Sequence, residues 1–252
     1  MTTLTLAADP ATGSVRLTIT PTADVTRVRR TDANGTADVR TMTGQLPHTA
    51  PAVLVLDDYE ANGTARYTVT TTAGTVTGSI ILTLASPWLG TPENPQYSAA
   101  VASVLDYGAG GISRATVHEP DGDDAPIVIG LGGSTRRGSL RVSTPGGTYA
   151  EALSLFRILG RGQTMLLRQA EHPGMDMYFI AGNYEIVTAL AGGSGSVFDV
   201  TASYIEVVRP AGALSGALGW TWAALAAAFP TWAAVEEAYA TWGDLRVDRR
   251  KA

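Results

Sequence analysis

The chain has 252 residues, 45% of them hydrophobic and only 16% charged, with a formal net charge of −5 and no cysteine. That length accommodates one large domain or two ordinary ones, each with a real core. The acidic balance speaks against a general nucleic-acid binder, and the missing cysteines exclude disulfides, thiolate metal sites and a cysteine nucleophile.

Thr, Gly, Ala and Ser replace the absent charge, a composition suited to strands and turns, and regular apolar alternation does not match disorder. Lys251 is the only lysine, and arginine carries the rest of the positive charge, a bias that points to a GC-rich genome. Arg27-Val28-Arg29-Arg30 and Arg136-Arg137 read as solvated strand faces. The first residues, Met1 to Leu6, carry neither a basic stretch nor an apolar one, so no signal peptide is expected. No apolar run reaches the roughly 18 residues of a membrane span.

Residues 1–85 alternate at period two. Val15, Leu17 and Ile19 share a face, as do Val53 and Val55, Tyr67 and Val69, and Ile80, Leu82 and Leu84. Turn signals at Asp9-Pro10, Asn34-Gly35, Asn62-Gly63 and Ala73-Gly74 cut the stretch into six or seven short strands, which predicts a β-sandwich. Leu56-Asp57-Asp58-Tyr59-Glu60 followed by Arg66-Tyr67-Thr68-Val69 resembles the late strands of fibronectin type III and immunoglobulin-like modules. Tyr59 is the candidate for a corner tyrosine that bonds back to backbone, with a sugar-stacking surface ring as the alternative.

Residues 86–95 hold three prolines, Pro87, Pro92 and Pro95, and read as a stiff extended linker in which Trp88 packs on a flanking domain. From 96 to 210 the strands resume, with one interruption. Ala152, Leu155, Phe156 and Leu159 fall on one helical face over 149–159, with Thr148 as N-cap and Gly160 as stop. One helix against an antiparallel sheet gives a mainly β, α+β chain.

The final segment, 211–252, repeats itself. Thr221-Trp222-Ala223-Ala224 recurs as Thr231-Trp232-Ala233-Ala234, and Thr241-Trp242-Gly243-Asp244 opens a third unit. In one continuous helix a ten-residue period would place successive tryptophans roughly 80° apart. Pro230 also cuts the run. Short threonine-capped turns are therefore predicted, with Thr231 and Thr241 as N-caps. They either fold back on their own domain or dock on a partner. Trp220, Trp222, Phe229, Trp232, Tyr239 and Trp242 are the candidate docking residues, because large rings dominate interface energetics.

Several stretches invite chemistry and then withhold it. Ile127-Val128-Ile129-Gly130-Leu131-Gly132-Gly133-Ser134 runs a strand into a glycine-rich turn, but strand-like Arg136 to Val142 follows where a dinucleotide site needs a helix. A hairpin is expected there. His118 to Asp124 is the densest acidic cluster; Asp121, Asp123 and Asp124 read as a solvated turn, with a weak calcium site as the alternative. His48, His118 and His172 are scattered, and no nucleophile elbow or zinc-protease motif occurs. No cofactor, metal or catalytic role is expected. The paired carboxylates of a glycoside hydrolase could lie far apart in the chain, and nothing in the sequence positively suggests them.

The succession of Arg136 to Thr144, one helix, Gly162 to Arg168, Tyr178 to Asn183 and Tyr204 to Pro210, closed by Thr-Trp repeats, resembles the distal-tail-like minor tail proteins of long-tailed phages infecting GC-rich bacteria. The resemblance covers residues 86–246 and reaches the N-terminal module only loosely. It implies a two-sheet β-domain with one packed helix, related to the tail-tube fold. Copies would join in a threefold or sixfold ring that contacts the tail tube protein and other tail-tip proteins. Nucleic acid would be met only in a lumen, and the protein would be made in the host cytoplasm for the virion. The rival reading is a carbohydrate-binding module for host-wall polysaccharide.

Overall fold

The computed structural model describes residues 1–111, 114–118, 127–131, 135–172, 175–190, 196–215 and 221–246. Seven strands come first: β1 (Thr3–Asp9), β2 (Ser14–Thr20), β3 (Val25–Asp32), β4 (Gly35–Asp38), β5 (Leu54–Asp58), β6 (Gly63–Thr71) and β7 (Gly74–Leu82). They form two antiparallel sheets, ordered β1-β2-β5 and β4-β3-β6-β7. Each sheet contributes alternate residues to one shared core: Val15, Leu17 and Ile19 from the first, Val28, Tyr67 and Val69 from the second. Full burial of each such aliphatic side chain contributes about 1.5–3 kcal/mol relative to exposure. The β6–β7 hairpin turns at Ala73-Gly74, where Gly74 adopts φ 139°.

Two expectations change inside this sandwich. In β5 the inward residues are Leu54 and Leu56, while Val53 and Val55 are only half-buried, because the strand pairs with β2 in the register Leu17↔Leu56. The Tyr67 hydroxyl donates to the buried Asp58 carboxylate at 3.0 Å, and Tyr59 packs against Leu214. Arg30 is not on a solvated face. It is 3% exposed, since β3 alternates Val28 and Arg30 toward the interior.

The second module comprises β8 (Trp88–Gly90), β9 (Ala99–Ala100), β10 (Ser103–Tyr107), β11 (Arg114–His118), β12 (Ile127–Leu131), β13 (Arg137–Ser143), α1 (Tyr149–Leu159), β14 (Met165–Arg168), β15 (Met177–Leu190) and β16 (Val197–Glu206). One seven-stranded sheet runs β10-β13-β16-β15-β14-β8-β9, and β11 and β12 pair as a separate hairpin. Among the described residues the module thus holds two sheets of unequal size, one of seven strands and one of two. Residues 86–95 do not form a free linker: Trp88–Gly90 pairs with β14 and with β9, and Trp88 joins the core of the first module.

Helix α1 lies against β15 and β16 and buries Ala152, Leu155 and Leu159. Its expected start is present as a capping box, with Thr148 accepting from Glu151 N and Glu151 bonding back to Thr148 N. Phe156 is half-buried and meets Tyr184 edge to face, 4.8 Å between centroids. Gly160 ends the helix at φ −67°, without the left-handed turn expected of a stop glycine. A Cβ there would lie 2.9 Å from the Tyr184 hydroxyl, which would have to shift to admit a side chain.

The chain finishes in three short helices, α2 (Trp222–Ala228), α3 (Trp232–Ala238) and α4 (Trp242–Arg246). Among the described residues, no helix is long and apolar enough to cross a membrane.

Candidate functional site

The three terminal helices share one design. Thr221, Thr231 and Thr241 each sit just before a helix and accept from the backbone N–H three residues on, at 3.1, 3.3 and 3.1 Å. This satisfies one of the orphan donors of each first turn. Phe229 and Tyr239 close the first two helices in extended conformation, at ψ 119° and 138°. The helix therefore restarts every ten residues, which returns each unit to the same orientation. A period that scatters side chains in a continuous helix here aligns them.

Two stripes result. Leu225, Val235 and Leu245 point inward with Tyr239, and Phe229 and Ala238 pack on them. Phe229 meets Tyr239 edge to face at 5.6 Å. On the outside stand Trp222, Trp232 and Trp242, which are 69%, 58% and 69% exposed. Neighbouring indoles lie 6.3 and 6.1 Å apart, at interplanar angles of 70° and 61°. The expected docking residues thus divide: the three tryptophans form an exposed ladder, whereas Phe229 and Tyr239 turn inward because the array needs its own core. Trp220 lies outside the described residues. At the near end, α4 meets the body of the protein, where the Arg246 guanidinium donates to the Ser215 carbonyl.

A second constellation fills the seam between the two modules. Arg30 donates to both Asp58 oxygens at 2.8 Å, with both side chains buried. Its Nε lies 2.7 Å from Asp32 Oδ2 but off hydrogen-bond geometry, so that contact is charge attraction. Glu60 gathers Arg40 at 3.0 Å, Arg209 and the Tyr178 hydroxyl at 3.2 Å. Asp176 accepts from Gln169 N, Asn34 and Asn62. Arg168 donates to the Gly13 and Ala61 carbonyls at 2.6 and 2.9 Å, beneath the Trp88 ring. Groups 100 or more residues apart in sequence are held together here.

Their electrostatics follow from burial and pairing. Burial alone would raise the Asp58 carboxyl, but the Arg30 charge and the bonds from Arg30, Glu60 N and Tyr67 hold it below its ordinary range. Burial pushes Asp176 up to about 6 in spite of its donors. Burial also brings Arg168 down to about 10, which leaves it cationic at neutral pH. An open cleft of about 380 Å³ lies along this seam, lined by Arg30, Asn34, Glu60, Asp176, Tyr178 and Glu206.

No known protein family matches the chain, and no curated protein does.

Among the described residues, no three His, Asp or Glu side chains are gathered so as to hold a metal. The Asp121-Asp124 cluster falls outside the described residues. His48 is tied to its own loop, its Nε2 2.8 Å from the Ala52 carbonyl. The glycine-rich turn at 132–134 lies outside the described residues; β13, which follows it, is an antiparallel strand and not the helix that a pyrophosphate site needs. Arg30 pairs with Asp58, and Arg40 and Arg209 with Glu60, while Arg168 is held by carbonyls and Asp176 by amides; these bonds tie the two modules together. Sequence reading missed Asp58, Glu60, Asp176 and Arg209 entirely. One signal was available: Arg30 and Asp32 continue the inward phase of Val28.

Proposed function

We propose that this chain is a structural minor tail protein at the tail tip of a long-tailed phage, joining the tail tube to the tip and docking partner tail proteins. The observation that carries the reading is the ladder of three exposed tryptophans on an array with its own core. Such a surface keeps large apolar rings in water at positions set by a repeat, which suits a partner and serves no internal packing. The large antiparallel sheet with α1 on it, beside the β11–β12 hairpin, fits the ring-forming body of that family. The first module, with its 3 + 4 strand order, fits a fibronectin-III-like brace. The charged seam would hold that brace at a fixed angle to the ring.

The polysaccharide alternative asks for coplanar stacking faces. Indoles turned 61° and 70° from one another offer edges and faces in turn, which favours a protein partner. Electron microscopy of the concentrated protein, with its solution mass, tests the proposal. A closed ring with an axial hole is expected. A monodisperse monomer that binds host-wall polysaccharide would replace this function with the alternative.

A further inference from the structure

Of the chain's four asparagines, Asn34 and Asn62 are the two followed by glycine, and the fold brings both side chains to one carboxylate. Asn34 donates to Asp176 Oδ2 at 2.8 Å, and Asn62 to the two Asp176 oxygens at 3.0 and 3.1 Å. Before a glycine, the next backbone nitrogen reaches the asparagine side-chain carbon with least hindrance, because no Cβ blocks the approach. The two sites differ in access. Asn34 is exposed at the tip of the β3–β4 hairpin, and a Cβ built on Gly35 would meet nothing within 4 Å. Strand β4 is a four-residue edge strand, so this tip opens at small cost. Asn62 is 1% exposed, and its amide also donates to the Gln169 carbonyl at 2.8 Å.

We propose that Asn34 is a site of spontaneous deamidation whose product loosens the seam between the two modules. The Gly35 nitrogen gives up its proton to water and attacks Asn34 Cγ. The new N–C bond closes a succinimide ring, and the side-chain amide leaves as ammonia, taking a proton with it. Water then adds to one of the two ring carbonyls and breaks its bond to the Gly35 nitrogen. Opening at Cγ gives aspartate; opening at the main-chain carbonyl gives isoaspartate, which lengthens the turn by one methylene. Water is the only co-reactant, and nothing is oxidised. Either product puts a carboxylate where a donor stood 2.8 Å from Asp176, so attraction across the seam becomes like-charge repulsion. Asn62, sealed from water, keeps its amide.

Trypsin separates the two sites, since cleavage after Arg30, Arg40 and Arg66 yields peptides 31–40 and 41–66. The full chain is held in mildly alkaline buffer, folded and in urea, and sampled over time by mass spectrometry. Electron-transfer fragmentation tells aspartate from isoaspartate. In the folded chain, peptide 31–40 should convert to both products while Asn62 stays intact; in urea both sites should convert at similar rates. An Asn34 that stays intact in the folded chain while the urea sample converts would overturn the site, as would an Asn62 that reacts as fast as Asn34 without urea. The consequence is read by hydrogen exchange at the Gln169 N–H, which donates to Asp176 at 2.7 Å. Asn34→Asp should speed that exchange about tenfold over the parent. Asn34→Ala removes the bond without adding charge and should speed it less. Exchange in Asn34→Asp equal to that of the parent, or to that of Asn34→Ala, would overturn the loosening by repulsion.

Discussion

The Asn62 side-chain amide donates to both oxygens of Asp176, at 3.0 and 3.1 Å, and so bridges the sandwich and the loop before β15. Burial raises that carboxyl to about 6, against about 3.9 in an unfolded chain. The folded state thus binds the proton more tightly than the unfolded state. The stability this group contributes is full below about pH 4 and is lost as pH rises through 6. Denaturant titrations of the parent and Asp176→Asn should show the variant gaining on the parent between pH 4 and pH 8. Discounted for partial exposure, the gain is roughly 1–2 kcal/mol. A constant difference across that range would contradict the assignment.

Arg30, Asp58 and Tyr67 make the costlier contact. Removing the carboxylate in Asp58→Ala strands a buried guanidinium, and chemical denaturation should report a loss of about 3–5 kcal/mol. Tyr67→Phe keeps the ring in the core and deletes one hydrogen bond to a charged group, for about 1.5–3 kcal/mol. Equal losses in the two variants would mean that the Tyr67 hydroxyl, and not the Arg30 charge, carries most of what the Asp58 carboxylate contributes.

Two glycines should respond to alanine with very different severity. At Gly138 a Cβ would fall 1.6 Å from the Gly108 carbonyl oxygen, a backbone atom that cannot swing away. Gly138→Ala should prevent folding or lower the melting temperature severely. At Gly35 nothing lies within 4 Å, and only its φ of 103° opposes a side chain. Gly35→Ala should cost about 1–2 kcal/mol, readable as a melting shift of a few degrees.

In the terminal array, stability and recognition lie on different stripes. Val235→Ala removes buried volume from a small core and should raise amide exchange throughout α2–α4, with a cost of about 1–2 kcal/mol. Trp232→Ala, at a largely exposed position, should cost less than about 1 kcal/mol, since it removes two edge contacts only. Deletion of residues 216–252 should leave both β cores folded and abolish partner docking; assembly unchanged by that deletion would exclude the docking role.

Periodicity carried most of the local structure. Alternation at Val15, Leu17 and Ile19 specified an inward strand face, and the spacing of Ala152, Leu155 and Leu159 after Thr148 specified α1, because both patterns are set by neighbours along the chain. The ten-residue repeat likewise contained its three caps and three exposed rings. It did not reveal that Phe229 and Tyr239 turn inward, since that depends on one unit packing on the next. The phase of β5 was settled only by its pairing with β2. The conversion of residues 86–95 from linker to sheet came from pairing with β14, more than 70 residues away in sequence. The charged seam was the least legible feature. Glu60 and Arg209 look like ordinary surface charges in the sequence, and only the closure of one module on the other removes them from water and makes each the other's partner.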